Sequence, residues 1–170
     1  MIGITNMIKP LVAARWCSRK RTAEMTVLEF FGIYNETFRY IDEHFGRRAL
    51  DVYWAYISKN YLKKLRRLVA EKGTEGMKEY WGHTLADEGA KYSMEITPDT
   101  MHAQIIECPA IRWLKSHKKE IYPDYCQHCV RLYQLVMEDY GFTWQMQIDD
   151  LSGSCRISVR RKQGEKSAGT

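Results

Sequence analysis

The sequence predicts an α+β fold: N-terminal helices packed with a small four-stranded sheet made of two hairpins, in the order ββ-α-ββ. Three observations carry this. Apolar residues recur at steps of three and four up to about residue 90. From Lys91 the period changes to two. Two pairs of alternating segments, each joined by a turn signal, then flank one further helical stretch. A chain of 170 residues that is 45% hydrophobic and holds five Trp can bury one good core without needing two full domains. Residues 1–90 are thus expected as a helical region and 91–161 as the α+β region of the same domain. The polar stretch 162–170 is expected as a disordered tail.

Thr26-Val27-Leu28-Glu29 has the form of a capping box, in which a threonine hydroxyl and a glutamate three residues on satisfy free backbone donors. It is expected to open a helix reaching about Phe45, where Gly46 interrupts. From Arg47 to Lys72 the residues Leu50, Trp54, Ile57, Tyr61, Leu65 and Leu68 form one amphipathic stripe, ended by Gly73. A further helix is expected from about Thr74 to Glu88. Tyr92, Met94 and Ile96 alternate with Ser93, Glu95 and Thr97, and Pro98-Asp99 turns the chain into a second strand over Met101–Glu107. Cys108-Pro109 breaks that strand and starts a short helix through about Lys115. A longer helix runs from about Pro123 to Tyr140. Phe142, Trp144, Met146 and Ile148, then Cys155, Ile157 and Val159, mark two half-buried strands joined by the turn Asp149 to Ser154, where Asp149 and Asp150 read as turn residues.

The net charge of +5 comes from scattered sources: Arg15 to Arg21, Lys63-Lys64 with Arg66-Arg67, Lys118-Lys119, and the tail from Arg160. A nucleic-acid surface gathers its charge on one face with aromatics interleaved, so solvated helix faces account better for this pattern. No apolar run approaches the ~20 residues of a membrane span, and no secretory signal opens the chain. A cytoplasmic protein is expected, with a small-molecule partner and neither nucleic acid nor membrane; a homo-oligomer is left open. Five cysteines without an export signal are expected as free thiols or ligands.

Strand order makes a spatial statement about those cysteines. If the long helix from about Pro123 packs back along the sheet, then Cys108, Cys126 and Cys155 all fall at one edge of it. Asp124-Tyr125-Cys126-Gln127 reads as an acidic N-cap that places Cys126 in the first helical turn. There the helix dipole lowers a thiol pKa, which makes Cys126 the leading nucleophile candidate. Packing as a small buried hydrophobe is the competing reading. Cys129 lines up with Tyr125, Leu132 and Val136 on the core stripe and reads as filling. His128 points away from that stripe, as a solvated imidazole or as a general base for the cysteine. His83 reads as a partly buried structural histidine that the covering helices can also deliver to the sheet edge. Cys-Gln-His-Cys is also half of a possible zinc site, which Cys108 or Cys155 would complete. No resident cofactor is expected in the first reading; zinc or iron belongs to the second, a metal- or ligand-binding module without turnover.

The pattern Glu107-Cys108-Pro109, Tyr125-Cys126-Gln127-His128-Cys129 and Gly153-Ser154-Cys155-Arg156-Ile157 resembles the L-2-amino-thiazoline-4-carboxylic acid hydrolase family over roughly the last 75 residues. This chain has Cys129 where many members carry an acid, and Leu151-Ser152-Gly153 where many have a Gly-Asp pair. The resemblance implies an α+β hydrolase that opens a cyclic amidine at the ring carbon between sulfur and nitrogen, with Cys108, Cys126 and Cys155 as the matching positions. Such a carbon is electrophilic once the amidine is protonated, so a thiolate can attack it. In this reading Cys126 attacks and His128 or His83 moves protons. Arg112 or Arg156 holds a substrate carboxylate by a bidentate contact.

Overall fold

In the computed structural model residues 19–149 and 152–163 are described. The order of elements is α1 (Arg19–Phe45), α2 (Arg47–Tyr61), α3 (Lys63–Lys72), α4 (Thr74–Asp87), β1 (Lys91–Ile96), β2 (Thr100–Glu107), α5 (Pro109–Ser116), α6 (Gln127–Asp139), β3 (Phe142–Ile148) and β4 (Cys155–Arg161). The fold is α+β as expected. The four strands form one antiparallel sheet in the order β1-β2-β4-β3. Cys17, most of the basic segment Arg15 to Arg21, Asp150 and residues 164–170 lie outside the described residues or their described side chains. Among the described residues no helix is long and apolar enough to cross a membrane.

Three expected helix boundaries move. α1 already runs helically from Arg19 through Thr26, so the Thr26–Glu29 box lies inside the helix and does not open it. The stripe from Arg47 to Lys72 is two helices rather than one, broken at Leu62 (φ −90°, ψ 30°). The break lets the two halves enter different cores: Leu50, Trp54 and Ile57 pack with α1, α5 and α6, whereas Leu65 and Val69 pack with α4 and the sheet. Arg66 fastens the junction by donating to the Ser58 carbonyl (3.3 Å). The buried Ser58 hydroxyl in turn donates to Leu132 O at 2.8 Å. The third change concerns α6, which starts at Gln127 with residues 123–126 as turns, so Cys126 is its N-cap and not part of its first turn. Asp124 does not cap α6; its carboxylate pairs with Arg47, which also lies over the Trp54 ring at 4.9 Å.

The sheet buries one face. Met101, Ala103, Ile105, Phe142, Trp144, Cys155 and Val159 are buried towards the helices, while His102, Gln104 and Arg156 are exposed on the other side. This is the period-two pattern expected of a half-covered antiparallel sheet. Lys162, at the start of the expected tail, still donates its backbone N–H to Gly141 O at 2.9 Å.

The long connection from α5 to α6 is anchored on α1 by Asn35, which is fully buried. Its side-chain amide donates to Glu120 O and its oxygen accepts from the Tyr122 N–H, both at 2.9 Å. Replacing Asn35 with Leu leaves the buried Tyr122 N–H unpaired, while Glu120 O keeps its hydrogen bond from Arg39 (2.9 Å), and a buried group left unpaired costs roughly 1–3 kcal/mol. We expect Asn35→Leu to lower the urea midpoint by an amount equivalent to about 2 kcal/mol. An unchanged midpoint would show that the connection is not held there.

Candidate active site

Between the helical layer and the buried face of the sheet lies a cavity of about 360 Å³. This is within the range of small-molecule sites, roughly 300–1,000 Å³. All four described cysteines line it: Cys108, Cys126, Cys129 and Cys155. The convergence argued from strand order has a visible basis. Cys155 pairs in register with Ile105 of β2 and Ile148 of β3. Cys108, one residue beyond the end of β2, donates its N–H to Gly153 O at 2.7 Å. Gly153 sits at φ 96°, a backbone conformation that residues with a side chain rarely adopt, so glycine suits this approach. Cys108, Cys126 and Cys155 are close enough for each to feel another's charge.

Their electrostatics differ from the expectation of an activated Cys126. Burial, followed by the neighbouring Cys108, pushes the Cys126 thiol up to about 12. Burial in the cavity wall outweighs any help from the helix N-terminus. Cys155 is pushed to about 12 for the same reasons, and Cys129 rises as well. Cys108 is also raised by burial, but it alone among the four has groups working in the opposite direction: the backbone N–H groups of Ile111 and Ala110, and Arg112. It is the N-cap of α5, with Pro109 at the first helical position, although its sulfur closes no capping hydrogen bond. The helix-terminus argument therefore belongs to Cys108 rather than Cys126.

His128 is half-buried rather than solvated. α1 covers it, with the Phe38 ring centroid at 5.2 Å and Tyr125 at 4.9 Å. Burial depresses its pKa to about 4, so it is neutral. Its Nδ1–H donates to the Tyr125 carbonyl, which can only accept. That assigns the free lone pair to Nε2, 3.4 Å from Cys129 Sγ. The thiol facing this imidazole is thus Cys129, and not Cys126.

The other expected contacts lie away from the cavity. His83 is on the outer side of α4 with its side chain 62% exposed, beside Asp87 at 3.4 Å. Arg112 is held by Glu107 (3.0 Å) and by Gly89 O (3.2 Å). Arg156 is exposed on the uncovered face of the sheet. None of the three lines the cavity, whose described lining contains no Lys or Arg. Among the described residues no group of three or more His, Cys, Asp or Glu is placed to hold a metal ion.

The sequence reading missed Glu88. It is the C-cap of α4 and the one Asp or Glu among the described lining residues. Burial, and then Asp87, raise its pKa to about 7. It acts electrostatically on Cys108, Cys129, Tyr80, Tyr125 and Tyr133, which puts the thiols within reach of its charge. A signal was present: Trp81, Leu85 and Glu88 fall at steps of four and three, which puts an acid on an apolar stripe at a helix C-terminus, where the dipole disfavours negative charge. Tyr125 completes the site. Only 1% of it is exposed, and its hydroxyl has no hydrogen-bond partner. An enclosed apolar cavity with a few convergent polar groups, one of them titrating near neutrality, has the makings of an active site.

No family model matches the chain, and neither the curated proteins nor the solved structures compared with it contain a significant match.

Proposed function

We propose that the protein is a small-molecule hydrolase that cleaves a C–N bond of a cyclic amidine in this cavity, with Cys108 as nucleophile and Glu88 as proton carrier. The observation that carries the reading is the carboxyl of Glu88, raised to about 7, lining the same cavity as the Cys108 thiol at the start of α5. The resemblance of the cysteine pattern to L-2-amino-thiazoline-4-carboxylic acid hydrolases supports the same reaction class.

Because burial keeps the thiols protonated, attack needs a base at hand, and ionised Glu88 serves. Cys108 Sγ bonds to the amidinium carbon, the C=N electron pair moves onto nitrogen, and the thiol proton passes to Glu88. Glu88 returns that proton to the ring nitrogen as the ring C–N bond breaks, leaving a cationic thioimidate on Cys108 and a free amine. Water then adds to the same carbon and gives a proton to Glu88. The C–Sγ bond breaks, Glu88 reprotonates the departing sulfur, and the hydroxyl proton passes to the freed amine as the C=O of the product forms. One water is consumed and both residues are restored.

The test is to incubate the protein with 2-aminothiazoline, quench in acid and map peptide masses, with product formation followed in parallel. The expected result is an adduct on the Cys108 peptide, with turnover lost in Cys108→Ala and kept in Cys126→Ala. Undiminished turnover by Cys108→Ala, or a folded protein that opens no cyclic amidine, would overturn the reading.

A further inference from the structure

We infer that the cavity selects an apolar organic cation that carries no carboxylate: a hydrophobic amidine or amine whose charged head pairs with Glu88. This rests on the cavity being the substrate site, and it narrows the substrate class. It departs from the carboxylate-bearing ring suggested by the sequence pattern.

Charge comes first. Glu88 is the one full acid among the described lining residues, none of which is Lys or Arg. Arg112 and Arg156, the expected carboxylate holders, are engaged with Glu107 and exposed on the far sheet face, respectively. His128 is neutral, with one nitrogen spent on Tyr125 O and the other at Cys129. A bound carboxylate would therefore be desolvated with no cation to meet it, which is costly unless the charge is paired. A cation meets a carboxylate that has no ion pair or hydrogen bond among the described residues.

The hydrogen-bond inventory agrees. An amidinium or ammonium head brings only donors. Glu88, in the lining, offers carboxylate oxygens to those donors. The rings of Trp81 and Tyr133, with centroids 5.2 Å apart, form part of the same wall. Aromatic faces attract cations and accept apolar bodies.

Titration of Glu88 makes recognition depend on pH. The groups facing it are Tyr80 and Asp87 on α4, Cys108 at the start of α5, and Tyr125, Cys129 and Tyr133 on α6 or the turn before it. The thiols and phenols are raised by burial and stay neutral near pH 7, whereas Glu88 changes charge as pH passes about 7. A fixed cation binds the ionised form and is lost as the carboxyl protonates.

The test uses benzamidine, benzamide and benzoate, three probes of similar shape that are cationic, neutral and anionic. Binding is read by Trp fluorescence and calorimetry on the full-length protein and on Cys108→Ala, which removes turnover. We expect benzamidine to bind at least tenfold more tightly than benzamide, with benzoate weakest. We expect benzamidine binding to weaken roughly tenfold from pH 8 to pH 6, and Glu88→Gln to abolish both the preference and the pH dependence. Benzoate binding as well as benzamidine, or a preference that survives Glu88→Gln, would overturn the inference. The two proposals fail separately. Cation selectivity in a protein that opens no cyclic amidine sinks the hydrolase alone. Turnover of 2-aminothiazoline-4-carboxylate as efficiently as 2-aminothiazoline, with no benzamidine preference, sinks the cation selectivity alone.

Discussion

Glu88→Gln is expected to lower turnover by about 10²- to 10⁴-fold, the usual range for removing a general acid–base group, and at the same time to make the protein more stable above neutral pH. The second effect follows from linkage. Glu88 titrates at about 7 when folded against an ordinary value of 4.5, so between those values the folded state binds more protons than the unfolded one. Stability then falls as pH rises through that window. The full cost of ionising the buried carboxyl, roughly 3 kcal/mol, is carried above pH 7 and is absent below about 4.5. Glutamine keeps the shape without the charge, so Glu88→Gln should melt higher than wild type at pH 8 and about equally at pH 4.5. The wild-type rate should rise with pH through about 7 and level off, and this step should vanish from any residual activity of the variant. A variant that is less stable at pH 8 while retaining activity would mark Glu88 as a structural residue only. Higher stability combined with lost function is the outcome that a merely structural role does not produce.

Gly76→Ala is expected to be the most damaging small substitution in the helical half. A Cβ at Gly76 would lie 2.0 Å from the Leu68 carbonyl oxygen and 2.5 Å from its carbon. These are backbone atoms inside α3, so no rotamer change relieves the contact; the α3–α4 hairpin has to open. Overpacking of this kind costs about 1–3 kcal/mol, and more where the backbone has to give. We expect about 3–5 kcal/mol, a drop in Tm on the order of 10 °C or more. Gly82 is the control on the same helix: its Cβ would meet only the Tyr92 hydroxyl, at 3.8 Å. There alanine gains helix propensity, and Gly82→Ala should be neutral or stabilising by up to about 1 kcal/mol. Similar melting temperatures for the two variants would show that the hairpin opens at little cost. Any Gly76→Ala protein that stays folded should bind benzamidine poorly, because α4 carries Trp81, Leu85 and Glu88 to the cavity.

The elements of the sheet were legible from alternation alone. Tyr92, Met94 and Ile96 in β1, and Cys155, Ile157 and Val159 in β4, each declare a buried face, and period two leaves one way to turn a half-covered strand. Together with a helix returning along the sheet, this was enough to place Cys108, Cys126 and Cys155 at one end of it. Helix limits were less legible. The Thr26–Glu29 box satisfies a local rule inside a helix that needs no start there. The Leu50–Leu68 stripe reads as continuous because periodicity cannot tell that its two ends enter different cores.

What each polar group does in the cavity was decided by tertiary structure, because charge responds to everything within several ångströms, whatever its distance along the chain. Cys126 was expected to be activated by its own helix, but burial by other elements pushes its thiol up to about 12. His128 was expected in water, but α1, nearly a hundred residues earlier, covers it. Glu88 reads as an ordinary helix-end acid until β2, α5 and α6 close an apolar wall around it. The sequence by itself determined the sheet, the buried faces and the meeting of three cysteines, since these follow from local periodicity and chain direction. Which thiol has backbone N–H groups turned towards it, which carboxyl titrates near neutrality and which arginines are already engaged depended on long-range packing, since desolvation is set by the assembled surroundings and not by neighbours in the chain.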